Sequence, residues 1–334
     1  MKNVQDLMKD NDEIMKNRAF GVLVIEGENS LYNADFTGGA NIIGDKVVAS
    51  DNAKKYSTKN YWKDKGLQVF GMRTKIYKKD KGINRTSIMP IGDRYLTMFN
   101  VKDLKKEHDN DIYKNLLNCI DVINFGVVFA PKKGEDGGIN LNIHGPVQLN
   151  YGIDTRDYVE IVTKTIGSPY ASGNGKAVST LGSRTLIDKG YYAYGFTVTP
   201  WHLDFLKDLV EGFEGYPRAA YEEFKEASLN DVNNHNSVSK AGVYNMFGLF
   251  IELKEGSLKG KTNLNDLLEI NENDEGISEI DLTKIYEELE DIKDEIDSIE
   301  LYYNPRSSTV VNNFKSELYE KTQKMSIDNF NHKL

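Results

Sequence analysis

Residues 20–25 read Phe-Gly-Val-Leu-Val-Ile, an unbroken apolar run closed by Glu26-Gly27, and they predict a buried central strand. A loop rich in Asn and Gly follows over 29–44. Ser50-Asp51 then offers an N-cap for a helix running to about residue 65, where Gly66 stops it. Residues 67–77 are expected to return as a strand. The stretch 78–110 is basic, carries several glycines and has little periodicity, so it reads as an insertion.

Further along, Ile112, Leu116, Cys119, Ile120 and Ile123 recur at helical spacing and predict a helix over 112–124. Residues 125–130 are strand-like. In 139–149 the apolar positions Leu141, Ile143, Val147 and Leu149 alternate with polar ones, and Pro146 implies an edge or a bulge. Residues 167–175 hold three Gly, two Ser and one Pro, the composition of a loop or hairpin tip. Strands are expected at 191–199 and 243–253, and helices at 201–211 and 216–228. Ile285, Leu289, Ile292 and Ile296 mark one face of an amphipathic helix, and 299–303 reads as a last strand before Pro305. No internal repeat is found. Unequal insertions between strands and helices favour an α+β sheet with helices on one side over repeated parallel βα units.

Composition changes the picture little. The 334 residues are 39% hydrophobic and 28% charged, enough apolar material for a packed core. The run at 20–25 is the longest apolar one, far short of the ~20 residues that cross a bilayer. Residues 1–15 lack a signal peptide's apolar core, and Cys119 is the only cysteine, so no disulfide framework is available. A cytoplasmic protein without membrane partners is expected.

Charge changes it more. The formal net charge of -9 argues against a nucleic-acid partner until its distribution is considered. Residues 54–106 carry 15 Lys/Arg against 4 Asp/Glu, whereas 266–300 carry 15 Asp/Glu against 2 Lys. Such asymmetry suggests one face for an anion and another turned away from it; two ordinary solvated surfaces are the plainer alternative.

Signatures of common enzyme chemistry are missing. There is no His-Glu-x-x-His, paired Cys-x-x-Cys or Gly-x-Ser-x-Gly, and the five histidines are scattered. Gly173-Asn-Gly-Lys176 fails as a phosphate loop, because Tyr170 stands where the first glycine belongs and Ala177 where a magnesium-binding Ser/Thr would be. No catalytic residue, metal site or cofactor is expected.

Three features could serve nucleic acid. Lys54, Lys55, Lys59 and Lys63 lie on the helix after the Gly-rich loop, with 55, 59 and 63 on one face. Ser50 and the first amides there make a helix N-terminus suited to phosphate. Asn124-Phe-Gly-Val-Val-Phe129 could be an aromatic stacking strand, although strand aromatics are more often core. The Gly/Ser/Pro tip followed by Ser179-Thr-Leu-Gly-Ser-Arg184 could wedge between stacked bases.

In order, these segments resemble the Cas-seven family in its type I-B form, over roughly residues 18–303. The resemblance rests on Asn33-Ala-Asp-Phe-Thr-Gly-Gly39, Ser50-Asp-Asn-Ala-Lys-Lys-Tyr56, Ile120-Asp-Val-Ile-Asn-Phe-Gly126 with Gly145-Pro-Val-Gln148, and Thr180-Leu-Gly-Ser-Arg184 leading into Gly190-Tyr-Tyr and Gly195-Phe196. It implies a modified RRM-like (ferredoxin-like) palm over 18–303, fingers or web at 70–111, a thumb hairpin at 167–191, an N-terminal extension at 1–17 and a tail at 304–334. It implies RNA contacts from Ser50, Lys54, Lys55, Lys59 and Gln148, with Thr180, Leu181 and Arg184 on the thumb and Leu181 as the wedge. The implied protein is a non-catalytic backbone subunit of a CRISPR Cascade complex. Its partners would be CRISPR RNA, a target DNA strand paired to that guide, copies of itself head-to-tail, and other Cascade subunits. Relatives often carry Asn-Gly-Asp in the first loop where this chain has Asp35-Phe-Thr-Gly-Gly39. Two alternatives stand beside this reading: a metal-dependent target-RNA nuclease using Asp35, and a stand-alone RNA-binding monomer.

Overall fold

The computed structural model describes residues 1–80, 83–131, 139–171, 179–235, 237, 239–273 and 276–327. A short helix α1 (Val4–Met8) precedes the first strand, β1 (Ala19–Ser30). β1 is buried at every position from 19 to 27 because its two faces enter different cores. Ala19, Leu23 and Ile25 point to one side; Phe20, Val22 and Val24 point to the other. A strand covered on both faces needs no polar alternation, which explains the continuous apolar run. The loop behind it contains β2 (Ile42–Ile43), and β3 (Lys46–Ala49) leads into α2 (Asp51–Asp64). α2 begins and ends where the sequence places it: Ser50 accepts the Ala53 amide, and Gly66 adopts φ +88°.

The expected strand at 67–77 forms only from Lys75, as β4 (Lys75–Asp80), paired with β5 (Ile83–Ile88). Residues just before it are bound from outside. The Asp121 carboxylate accepts the Phe70 and Gly71 amides at 2.7 Å each, and Arg94 Nη2 donates to the Val69 carbonyl at 2.6 Å. The supposedly irregular insertion also holds a helix, α3 (Ile91–Phe99), which follows Pro90 and ends at Asn100 with φ +54°. In place of one helix over 112–124 there are two, α4 (Asp109–Leu117) and α5 (Ile120–Phe125), broken at Cys119.

After these come β6 (Gly126–Phe129), β7 (Leu141–His144), β8 (Val147–Leu149) and β9 (Gly152–Asp154). Then β10 (Ile161–Ala171) and β11 (Ser179–Val198) form a long antiparallel pair; residues 172–178 at its tip, including the last four of the Gly/Ser/Pro segment 167–175, lie outside the described residues. Residues 201–211, expected as an α-helix, instead lie partly in a 3-10 turn (Pro200–Leu206). α6 (Arg218–Asn230) and β12 (Val243–Leu253) match expectation. The acidic segment supplies β13 (Glu269–Glu272), β14 (Ser278–Asp281), α7 (Thr283–Glu290) and the start of β15 (Ile296–Tyr303); Ile292 and Ile296 lie beyond the helix. β15 is not the last strand. β16 (Ser308–Val311), α8 (Glu317–Lys321) and β17 (Gln323–Ser326) follow, with β16 parallel to β14 and β17 parallel to β15.

The result is an α+β fold on a ten-stranded sheet ordered β17-β15-β12-β1-β11-β9-β3-β2, with β8 and β10 also paired to β11. Helices do not keep to one side. α2 and α6 help to build the core beneath one face. The other face is covered by the acidic segment, with Ile280, Leu282, Ile285 and Leu289 turned inward. The acidic layer and the lysine helix therefore belong to opposite faces of the sheet.

Candidate nucleic-acid interface

The lysines of α2 divide according to the neighbours of each helical face. Lys54 points inward. Its side chain is 1% exposed, and its Nζ lies 2.6 Å from Asp231 Oδ1 and 2.8 Å from the Ser228 carbonyl. Thr58 and Asn245 also donate to the Asp231 carboxylate, at 2.7 and 3.0 Å. Burial lowers the pKa of the Lys54 ammonium, while Asp231 opposes that shift. Lys54 thus stitches α2 to the end of α6, and the expectation that it contacts RNA is corrected: no phosphate can reach a buried, paired ammonium.

Lys55 and Lys59 face a different wall. Both line a cleft of about 380 Å³ with Asn52, Tyr56, Gly71 and Arg73. Lys55 Nζ is 2.9 Å from Asp51 and lies over the Phe125 ring at 5.7 Å. Lys59 Nζ is 3.4 Å from the Gly71 carbonyl and 3.6 Å from Asp121. Asp121 is almost wholly buried and already accepts two backbone amides, so it anchors Lys59 without closing the cleft. Gly71 leaves room for this approach: a Cβ there would come within 2.8 Å of Lys59 Nζ, and the lysine would have to shift. Arg73 is exposed at the rim. Sequence reasoning missed Tyr56 and Arg73 as cleft residues, although Tyr56 ends the Ser50–Tyr56 motif and Arg73 lies within the Lys/Arg-rich 54–106.

Ser50 caps α2, so its Oγ is occupied by the Ala53 amide at 3.2 Å; Asn33 Oδ1 accepts the Ser50 amide at 2.8 Å. Gln148 lies apart from the lysines. Its Nε2 donates to the Gly145 carbonyl at 2.8 Å, and it lines a separate open cleft of about 260 Å³ with Asn150, Gly195 and Thr262. Arg184 sits on β11 opposite Lys164, and Leu181 is in backbone register with Gly167. Thr180 shares that strand; the side chains of Thr180 and Leu181 fall outside the described residues.

The two motifs most specific to the resemblance meet in space. Gly126 has φ +81°, and a Cβ there would lie 2.1 Å from the Ile143 carbonyl oxygen; a Cβ on Gly145 would lie 2.3 Å from the Gly126 nitrogen. Only two glycines allow these backbones such contact. Asn124 secures the same corner, donating to the Ala220 carbonyl at 3.2 Å and accepting from Tyr216 Oη at 2.6 Å. Phe125 and Phe129 are core residues, packed on Trp62 and Tyr95, so this strand offers no stacking face.

Asp35 is committed to its own turn. Its Oδ1 accepts from the Thr37 hydroxyl (2.7 Å), the Thr37 amide (2.8 Å) and the Gly39 amide (2.9 Å). The Thr37 hydroxyl above all, then the Gly39 amide, hold its carboxyl below the usual carboxylate range. Among the described residues no three His, Cys, Asp or Glu side chains are placed to share a metal ion, and no helix is long and apolar enough to cross a membrane.

Fold and site define an α+β protein with a largely antiparallel central sheet and a cationic cleft on one of its helices. The family model for CRISPR-associated protein Cas7 matches residues 17–297, and the chain belongs to that family. Two solved structures match the chain in the structural comparison. A chain of a "CRISPR RNA-guided surveillance complex, pre-nicking" shares 12% identity over 93% of this chain and 98% of its own, with TM-score 0.48. A chain of a "CRISPR RNA-guided surveillance complex" shares 10% identity over 91% and 94%, with TM-score 0.44. No curated protein matches the chain.

Proposed function

We propose that this chain is a non-catalytic, CRISPR-RNA-binding backbone subunit of a type I-B Cascade complex, whose copies assemble head-to-tail along the guide beside other Cascade subunits. The observation that carries the reading, beside family membership, is the cleft in which Lys55, Lys59 and Arg73 converge. Cations that hold phosphates leave the bases free to pair with a target DNA strand. The acidic layer lies across the sheet, where its repulsion of phosphate is weakest. Gln148 would contact the guide from the second cleft. The β10–β11 pair, with Thr180, Leu181 and Arg184, would be the thumb, residues 70–111 the fingers or web, and 18–303 the palm. Asp35, already holding a turn through Oδ1, serves structure in this reading rather than metal-dependent cleavage.

The test is RNA recovered from the purified protein together with binding at several salt concentrations. Repeat-derived guides are expected. Each of Lys55→Ala and Lys59→Ala should flatten the slope of log affinity against log salt by ~0.7 on a single strand. Glu287→Gln with Asp291→Asn, on the acidic layer, should leave affinity unchanged. RNA without repeat sequence, or an unchanged slope in the lysine double variant, would overturn the reading. Cleavage of complementary RNA with magnesium, abolished by Asp35→Ala, would favour the nuclease instead.

A further inference from the structure

On the flank of α2 away from Asp121, Lys240 lacks the partner its surroundings call for. Its Nζ lies 5.5 Å from the centre of the Tyr32 ring and 6.0 Å from that of Tyr56, and no carboxylate pairs with it among the described residues. Tyr32 is buried, whereas Tyr56 is 44% exposed. The Tyr56 ring packs on His235, whose ring centre is 5.2 Å away at 58° and whose Nδ1 is 3.2 Å from Ser57 Oγ. Burial lowers the pKa of Lys240, with Asp231 opposing the shift. A half-buried ammonium facing two aromatic rings is only partly compensated, and a bound anion would complete it.

Tyr56 also lines the cleft of Lys55, Lys59 and Arg73. The 44%-exposed ring therefore adjoins both the cleft cations and Lys240. We propose that Tyr56 and Lys240 form a nucleotide subsite, in which a base of single-stranded RNA stacks on the Tyr56 ring and an adjoining phosphate is held by Lys240 Nζ. The proposal rests on the cleft's reading as a phosphate-binding site and adds what phosphate contacts lack, a hold on the base itself. Stacking accepts any base, so the subsite stays compatible with guides of arbitrary sequence. An exposed tyrosine is ordinary on a protein surface; one that adjoins two groups of cations, beside a lysine with no paired carboxylate among the described residues, has a use there.

The test compares the full chain binding a single-stranded polyuridine oligomer with its binding an abasic ribose-phosphate oligomer of equal length. The wild-type protein should prefer polyuridine. Tyr56→Leu, which keeps apolar volume, should lose about 5- to 100-fold on polyuridine with the salt slope unchanged, and should bind both oligomers alike. Tyr56→Phe should behave as wild type, which guards against a folding artefact. Lys240→Met should weaken both oligomers and flatten the slope by ~0.7. If Lys55 and Lys59 set the salt slope but Tyr56→Leu and Lys240→Met bind as wild type, the subsite is wrong and the phosphate cleft stands. If the wild-type protein binds neither oligomer in a salt-dependent way, both readings fall.

Discussion

Lys54 Nζ lies 2.6 Å from Asp231 Oδ1, and the two side chains are 1% and 0% exposed. The pair is closed by Thr58 and Asn245, which donate to the carboxylate, and by the Ser228 carbonyl, which accepts from the ammonium. It removes one lysine from the cationic stripe and makes it a structural bond between α2 and the connection from α6 to β12. Lys55, its neighbour in sequence, is left to face the cleft.

Because removal of one partner strands a buried charge, Lys54→Met and Asp231→Leu should each cost about 3–5 kcal/mol, and the double variant clearly less than their sum. Urea unfolding of the four proteins measures this. Additive losses would mean that the two groups do not depend on each other. Lys54→Met should also leave the salt dependence of RNA binding unchanged once folding is complete.

Glycines at positive φ in two settings separate backbone strain from backbone contact. Gly66 has φ +88° with open space around an added Cβ, so Gly66→Ala should cost about 1–2 kcal/mol through the left-handed conformation alone. Gly126 has φ +81° and the Ile143 carbonyl 2.1 Å from that Cβ, so Gly126→Ala should cost well beyond this. Thermal unfolding of both variants decides; equal losses would show that the contact of Gly126 with β7 is easily relaxed.

His202 supplies a pH dependence. Burial is the main cause that lowers its pKa, and the neighbouring His144 ring, 4.5 Å away, acts in the same direction, against the Gly145 carbonyl. A histidine with a lowered folded pKa binds fewer protons than the unfolded chain between the two values. Its stabilising contribution is therefore lost as pH falls from about 6.5 towards the folded pKa, and it does not change further below. His202→Gln removes this term. The Tm difference, wild type minus His202→Gln, should shrink between pH 7.5 and pH 5. A constant difference would show that His202 titrates normally.

What the sequence by itself determined was local. The N-cap at Ser50 and the stop at Gly66 delimit α2, since a cap hydrogen bond and a left-handed residue act within a few positions of where they are encoded. The run at 20–25 specified a strand covered on both sides, and the inward spacing of Ile285 and Leu289 specified a helix with its acids outside. Charge was legible as a partition along the chain, which the sheet converted into two opposite faces. Other choices depended on distant partners. The break at Cys119 interrupts a periodicity that reads as one continuous helix. β11 extends to 20 residues because one half pairs with β1 and the other with β10. The strands after Pro305 exist because β14 and β15 had edges to pair. The site was decided the same way. Lys54 and Lys55 are adjacent and chemically identical, and only the presence of Asp231, 177 positions away, turns one into the core and leaves the other to face the cleft. A buried charge must find its counter-charge wherever the fold brings one, and a spacing rule along a helix carries no information about that partner.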